Sequence, residues 1–457
     1  MEEKQSPEDP QTKGRSPVRS YASRVFQESS VGMVSSLAQT SSTRRRVFKV
    51  LALIACLTGF LYQTGQFLAV VFRYPTSVDI DIIRPEMLTV PGFTFCDNNG
   101  INRRIFCEKF PEHCREPDEA FCKKFEYYCD GNRSLVPKKE YYTLSSSLSV
   151  EEMAVLNVNL TDFVNVLDWG ETGEVNGPFL RSRNFLHPNF LCYSLHDRVN
   201  SSLSPQLTEK NDLVKEAVNK LEFYVRPHDT FLPGNRPGIL FAVHSPFQAV
   251  NPFETGIFMK PGRTYMLFVS MEEEILMQEP YDTNCVNYTE MWEKNGRAGP
   301  RLQDMCKQDC LADISMQCFN CVLPFIHFPR TERHCTEDDT EPHSCPDNLE
   351  ELLEGCRLKC RDDCRRIKYS YNVQERFSPD FDSDDEIDSK HDHTIKVEVF
   401  LEGDEIIVLK HSPKYMIVEV FSNIGGFIGC WLGINLLDIT DIFEGFFRIF
   451  RYSFKRR

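Results

Sequence analysis

Ser422-Asn423-Ile424-Gly425-Gly426-Phe427-Ile428-Gly429-Cys430-Trp431-Leu432-Gly433-Ile434-Asn435 lies inside the apolar run 415–447. Glycines at 425, 426, 429 and 433 are costly in a water-exposed helix. Between membrane helices, small residues let backbones approach closely. Gly425 and Gly429, and again Gly429 and Gly433, have the small-xxx-small spacing of a helix-packing face. Asp438, Asp441 and Glu444 follow at intervals of three, along one helical stripe. A carboxylate at mid-membrane costs about 2.5–3.5 kcal/mol on insertion scales, so three on a lipid face would be hard to tolerate. They are expected to face water, either in a pore, where rings of Asp or Glu suit a cation pathway, or at the cytosolic boundary of a span that ends at Leu437. The residues alone weigh these two placements equally. A break at Gly433-Ile434-Asn435 would free backbone carbonyls, which is tolerated at membrane depth only in a protein interior or beside a wet cavity. Such carbonyls can replace part of a cation's hydration shell.

A second apolar run, 47–72, is nearly free of charge. Roughly 20 apolar residues span a bilayer as a helix, so both runs are candidate spans and residues 73–414 lie on one side of the membrane. Arg44, Arg45, Arg46 and Lys49 flank the first run, and Arg448, Arg451, Lys455, Arg456 and Arg457 follow the second. Basic flanks favour the cytoplasm, so both termini are expected to be cytosolic and 73–414 extracellular or lumenal. The first run is too long for a signal-peptide core and reads as an uncleaved anchor. All 18 cysteines except Cys56 and Cys430 fall in the middle region, an even number there, which suits disulfides in an oxidising compartment. Asn132, Asn159, Asn200 and Asn287 head glycosylation triplets in the same region. The net charge of -15 argues against a nucleic-acid partner.

Along the chain, residues 1–46 read as a mobile cytosolic tail. Val78-Asp79-Ile80-Asp81-Ile82 alternates as a strand does. Cys107, Cys114, Cys122 and Cys129 form a compact cluster suited to two local bridges in a helical lobe. The stretch 213–221 reads as a short amphipathic helix, and 238–243 and 264–270 as strands. Ten cysteines follow from Cys285 to Cys364, with a helical run near 349–353. Cys306-x3-Cys310, Cys318-x-x-Cys321 and Cys360-x3-Cys364 could suggest zinc, but an extracellular location favours disulfides. The acidic run Asp380, Asp382, Asp384, Asp385, Glu386, Asp388 is expected to be a solvated loop, the sharper alternative being cation sensing with His391 and His393. Ile395, Val397 and Val399 alternate as a half-buried strand, and 406–409 reads as the strand leading to the second span. No nucleophile motif, metal-protease helix or phosphate-binding loop points to an enzyme.

The motif 422–435 resembles the second-span signature of the degenerin/epithelial sodium channel superfamily, which includes the acid-sensing ion channels. Pro91-Gly92-Phe93-Thr94-Phe95-Cys96-Asp97-Asn98 resembles its motif after the first span. Cys360-Arg361-Asp362-Asp363-Cys364 with Tyr369, and Pro280-Tyr281 before Cys285, resemble its thumb end and its wrist contact. The resemblance covers most of 44–447. It implies an α+β membrane protein with two transmembrane helices and a large disulfide-rich extracellular domain of β-sheet palm, helical finger and helical thumb. The expected divisions are a tail 1–46, a first span 47–72, an extracellular domain 73–414 with finger about 100–220 and thumb about 285–365, a pore-forming span 415–447, and a tail 448–457.

It also implies a homo- or hetero-trimer of related subunits in the plasma membrane, conducting sodium and often blocked by amiloride, with no cofactor beyond the permeant sodium ion. Gly433, Ile434 and Asn435 then correspond to the selectivity constriction, Asp438, Asp441 and Glu444 to pore acids, and Ser422, Gly425 and Gly426 to the gate. Tyr74, Pro280 and Tyr281 correspond to the coupling contact. The implied disulfides are Cys96–Cys192, Cys285–Cys364, Cys306–Cys360, Cys310–Cys356, Cys318–Cys345 and Cys321–Cys335, with two more among Cys107, Cys114, Cys122 and Cys129. Two departures stand out. Val31-Gly32 occupies the place of the family's His-Gly gating pair, and Asn435 replaces a serine at the constriction. The expected function is therefore a cation channel subunit gated by an unidentified extracellular stimulus. The alternative is a non-conducting or obligate heteromeric receptor or adhesion subunit of the same architecture.

Overall fold

The computed structural model describes residues 42–129, 135–139, 148–166, 175–182, 189–199, 201–209, 217–335, 339, 345, 349–377, 393–402 and 405–454. Val31-Gly32, Asn132, Asn200, the acidic run 380–388, His391 and Lys455–Arg457 lie outside them. The chain folds as two compact units. One comprises Met1–Ser77, Pro280–Asp282 and Ser412–Arg457, the other Val78–Glu279 and Thr283–His411.

The larger unit is built on two sheets. In the first, the strand order is β1 (Thr76–Ile83), β12 (Ile406–Pro413), β9 (Arg263–Ile275), β11 (Thr394–Leu401), β6 (Asn219–Tyr224) and β3 (Val164–Val166), with β10 (Arg365–Phe377) also paired to β9. β9 organises this sheet. It runs antiparallel to β10 along its whole length, from Arg263 opposite Phe377 to Ile275 opposite Arg365. On its other edge it is parallel first to β11 and then, beyond Glu272, to β12. The second sheet has the order β8 (Ile257–Met259), β7 (Ile239–His244), β2 (Gly92–Asp97), β5 (Phe190–Leu195), β4 (Val175–Arg181).

Period-two patterning explains how the sheets share a core. Leu221 and Phe223 on β6, and Ile395, Val397 and Val399 on β11, are buried on alternate positions. They join Phe93, Phe95 and Phe241 of the second sheet in one apolar cluster. Phe95 meets Phe223 edge to face at 4.9 Å, and Phe93 stacks on Phe241 at 5.7 Å. Each such fully buried phenylalanine contributes about 1.5–3 kcal/mol. The helix read at 213–221 is not formed in its described part: Asn219–Tyr224 is β6, because pairing with β11 and β3 outweighs local helical patterning.

Eight disulfides cross the larger unit. Cys96–Cys192 ties neighbouring β2 and β5, while Cys107–Cys114 and Cys122–Cys129 close short loops around the helices Arg103–Lys109 and Glu119–Lys124. The other five are Cys285–Cys364, Cys306–Cys360, Cys310–Cys356, Cys318–Cys345 and Cys321–Cys335. They surround the helices Gln303–Phe319 and Leu349–Lys359. Cys306 and Cys310 lie four apart on one face, as do Cys356 and Cys360, so two rungs join facing antiparallel stripes. The longer helix stops at Asn320, whose left-handed backbone (φ 55°) lets its N–H bond Met316. The sulfurs of the three zinc-like spacings are all spent on disulfides.

The smaller unit contains the helices α1 (Thr43–Val71), α2 (Ile417–Leu432) and α3 (Leu436–Phe454). α1 is long and apolar enough to cross a membrane, and no residue in it is buried. Val47, Phe48, Leu51, Ile54 and Leu61 lie uncovered by protein. The run 415–447 is not one helix: α2 and the following helix meet at a bend of 76°.

Candidate ion-conduction site

Met416 opens α2 by donating its N–H to the carboxylate of Glu419 at 3.0 Å. One turn on, the Ser422 hydroxyl donates to the Val418 carbonyl at 2.9 Å, and the Asn423 amide donates to the Glu419 carbonyl at 2.8 Å. These polar side chains satisfy themselves on their own helix. A Cβ placed on Gly425 or Gly426 would meet nothing within 4 Å, so this face is open. Lys414, Glu419, Ser422, Asn423 and Gly426 line an open groove of about 580 Å³ there.

α2 ends at Gly433, which takes the left-handed conformation (φ 60°) and donates its N–H to the Gly429 carbonyl at 3.0 Å. A residue with a Cβ is strained in that conformation, so glycine is required by the turn itself. The chain folds back beside Gly429, whose Cβ would lie 3.9 Å from the Ile434 carbonyl oxygen. Asn435 then starts α3. Its side-chain oxygen accepts from the Asp438 N–H at 2.9 Å, and the Asp438 carboxylate accepts from the Asn435 N–H at 3.0 Å. This reciprocal cap satisfies two of the donors that a helix start leaves open.

The three acids therefore have different surroundings. Asp438 is buried and holds the helix start, whereas Asp441 is exposed. Glu444 is exposed and accepts from Arg448 at 2.5 Å. They share a stripe by spacing but not a chemical environment. Asn435-x-x-Asp438 carried a legible capping signal that a reading of the acids as a single set passes over.

α1 and α2 meet along one seam. Phe67 contacts Phe427 at 5.7 Å and Tyr415 at 5.5 Å, both edge to face. Four residues earlier on α1 and four later on α2, the Trp431 indole N–H donates to the Gln63 side-chain oxygen at 2.7 Å. Gly59 completes the row: a Cβ there would fall 2.7–2.9 Å from three Trp431 ring carbons. Beyond α1, Tyr74 takes a positive φ of 51° and meets Tyr281 edge to face at 5.8 Å. Lys414 donates its N–H to the Pro75 carbonyl at 3.0 Å, and the Thr76 hydroxyl donates to Asp282 at 3.3 Å. Tyr74 and the segment Pro280–Asp282 thus belong to one unit although far apart in sequence. Gly59, Gln63 and Phe67 carried no signal beyond their spacing of four.

In the larger unit the motif 91–98 holds a buried acid. Asp97 accepts from the Asn99 N–H at 2.9 Å and shares a small cavity with Asp229, Asn102 and Asn157. Burial, with a smaller contribution from Asp229, pushes the Asp97 carboxyl up to about 7 against the lowering effect of Asn99. Asp229 is held by Arg104 at 2.5 and 3.1 Å and by Asn102 at 3.2 Å. Of the glycosylation triplets, Asn159 and Asn287 are exposed, each at the start of a short helix, and the Asn287 side chain caps its own helix by accepting from Glu290.

A family model described as amiloride-sensitive sodium channel matches residues 25–444. The chain belongs to the amiloride-sensitive sodium channel family. Acid-sensing ion channel 1C of Danio rerio is 22% identical over 94% of this chain and 84% of its own length. The alpha subunit of the Pelodiscus sinensis epithelial sodium channel is 21% identical over 57% of this chain and 43% of its own length. Degenerin mec-4 of Caenorhabditis briggsae is 26% identical over 30% of this chain and 20% of its own length. A solved proton-activated chloride channel aligns with 88% of this chain and 98% of its own at a TM-score of 0.26 and 5% identity. Membership in the amiloride-sensitive sodium channel family, with a mixed α/β fold and eight disulfides, makes this chain a cation channel subunit by descent.

Proposed function

We propose that this chain forms a sodium-preferring cation pore as one subunit of a trimer in the plasma membrane, with both termini cytosolic. The observation that carries this reading is the break between α2 and α3. A left-handed glycine ends one helix, and Gly433-Ile434-Asn435 joins it to the next with Asp441 exposed beyond. Backbone interrupted inside an apolar run is favourable only beside protein or water. Three such breaks around an axis would form a constriction of carbonyls and Asn435 amides, with Asp441 raising the local cation concentration. Asp438 contributes by holding Asn435, and Glu444 lies at the cytosolic end beside Arg448. Ser422 with Gly425 and Gly426 forms the gate on the open face of α2.

In this reading an extracellular stimulus strains the disulfide-braced helices, and Tyr74 with Pro280 and Tyr281 passes the strain to the spans. Amiloride sensitivity belongs to the same proposal, as does sodium as the permeant ion with no further cofactor. Glycosylation at Asn132, Asn159, Asn200 and Asn287 would mark the extracellular face. Val31 in place of the family's histidine favours a second reading, a subunit silent alone and conducting only with related subunits. Whole-cell recording tests both: the chain expressed alone, then with relatives, with sodium replaced by a large organic cation. Inward current that disappears on replacement supports the pore. Surface-delivered trimers silent in every combination would leave the non-conducting receptor.

A further inference from the structure

Trp431 is two residues from the Gly433 turn and lies on the seam with α1. Two contacts of its own and one a turn earlier on α2 fix it. The indole N–H bonds Gln63 at 2.7 Å, the ring occupies the space that a side chain at 59 would need, and Phe427, one turn earlier, is held by Phe67. The end of α2 therefore cannot be re-aimed without withdrawing the indole from Gly59 and breaking its hydrogen bond. In an apolar medium an indole N–H that loses this acceptor is left unsatisfied unless another group replaces it, so the bond favours one arrangement over others in which it would be lost. Packing alone would be met by any aromatic ring. The amide at 63 adds a directional requirement that only a hydrogen-bond donor at 431 meets.

We propose that Trp431 and Gln63 form a latch that sets the position of the Gly433-Ile434-Asn435 break relative to α1. Gly59 is the socket that admits the ring. The proposal rests on the reading of that break as the constriction, but the latch itself is a property of the helix pair. Movement of α1 would then be transmitted to the constriction directly, through a contact inside the spans.

The test uses the full chain in cell membranes with Cys56 and Cys430 replaced by alanine and Ile434→Cys as a reporter. The rate of modification by a small water-soluble thiol reagent is read by mass. Gln63→Met keeps the length and loses the acceptor, and Trp431→Phe keeps a ring and loses the donor. Each should change the reporter's rate by roughly three- to tenfold, the effect of one interhelical hydrogen bond in a membrane. The double variant should change it no more than either single one. Surface delivery and intact disulfides are checked in each variant, so that misfolding does not count as an effect. Equal rates in all variants, including no modification in any, or additive effects in the double variant, would overturn the latch. Sodium current recorded from the same cells separates the two ideas. Altered labelling without current in any combination would remove the pore and keep the latch, whereas sodium current with unchanged labelling would do the reverse.

Discussion

Asn435 and Asp438 cap one another at the start of α3, each accepting a backbone N–H from the other. The residue that departs from the family's serine is thus also the residue that begins a helix. Asparagine and serine are comparably good helix caps, so Asn435→Ser should keep the turn and change only the lining. Asn435→Ala should cost about 1 kcal/mol of local helix stability. Hydrogen exchange at the first turn of α3 measures this: faster exchange is expected for alanine than for serine. Equal exchange in both would remove the cap from the account.

Asp441 is free of the capping role. Asp441→Asn should lower unitary conductance or sodium preference while leaving surface delivery intact. Unchanged permeation in a conducting assembly would put Asp441 outside the pathway.

Ser422 lies on the open face of α2. In the proposed trimer three small side chains can meet near the threefold axis, but three phenylalanines cannot, so Ser422→Phe should disfavour the closed state. Each 1.4 kcal/mol of clash changes that equilibrium about tenfold. The readout is sustained current without stimulus, and silence of surface-delivered trimers with and without partners would refute the gate.

Asp97 gives a pH dependence with a definite sign. Its carboxyl is raised from 3.8 to about 7, so the folded state binds its proton more tightly than the unfolded chain does. Its ionisation therefore costs no stability below pH 3.8, costs progressively more between 3.8 and about 7, and has its full effect above that. The full effect is on the order of 4 kcal/mol. Asp97→Asn should flatten the loss of thermal stability between pH 5 and pH 8 in the oxidised full-length protein. A variant as pH-sensitive as the parent would show that other groups carry the dependence.

Much of the fold was legible because its signals are local. Alternating apolar residues at 395–399 require a strand with one buried face, and β11 buries Ile395, Val397 and Val399. The apolar run near the first basic cluster requires a helix that shuns water, and α1 is one. The glycines and the capping pattern at 433–438 require a turn between helices wherever that segment lies. The helix read at 213–221 failed for the complementary reason: the partners of β6 are Val164–Val166 and Thr394–Leu401, both distant in sequence. The seam of Gly59, Gln63, Phe67, Phe427 and Trp431 was hidden in the same way. So was the burial of Asp97 beside Asp229, because a carboxyl is raised by the water removed around it and not by its own neighbours in sequence. The chain by itself determined the elements whose signals lie within a few positions, such as the apolar helix α1, the alternating strand β11 and the turn at Gly433, and not β6, whose strand pairing is distant. Which distant side chains become neighbours, Trp431 beside Gln63 or Asp97 beside Asp229, was decided only by folding, because those energies depend on contacts that exist only once distant segments have come together.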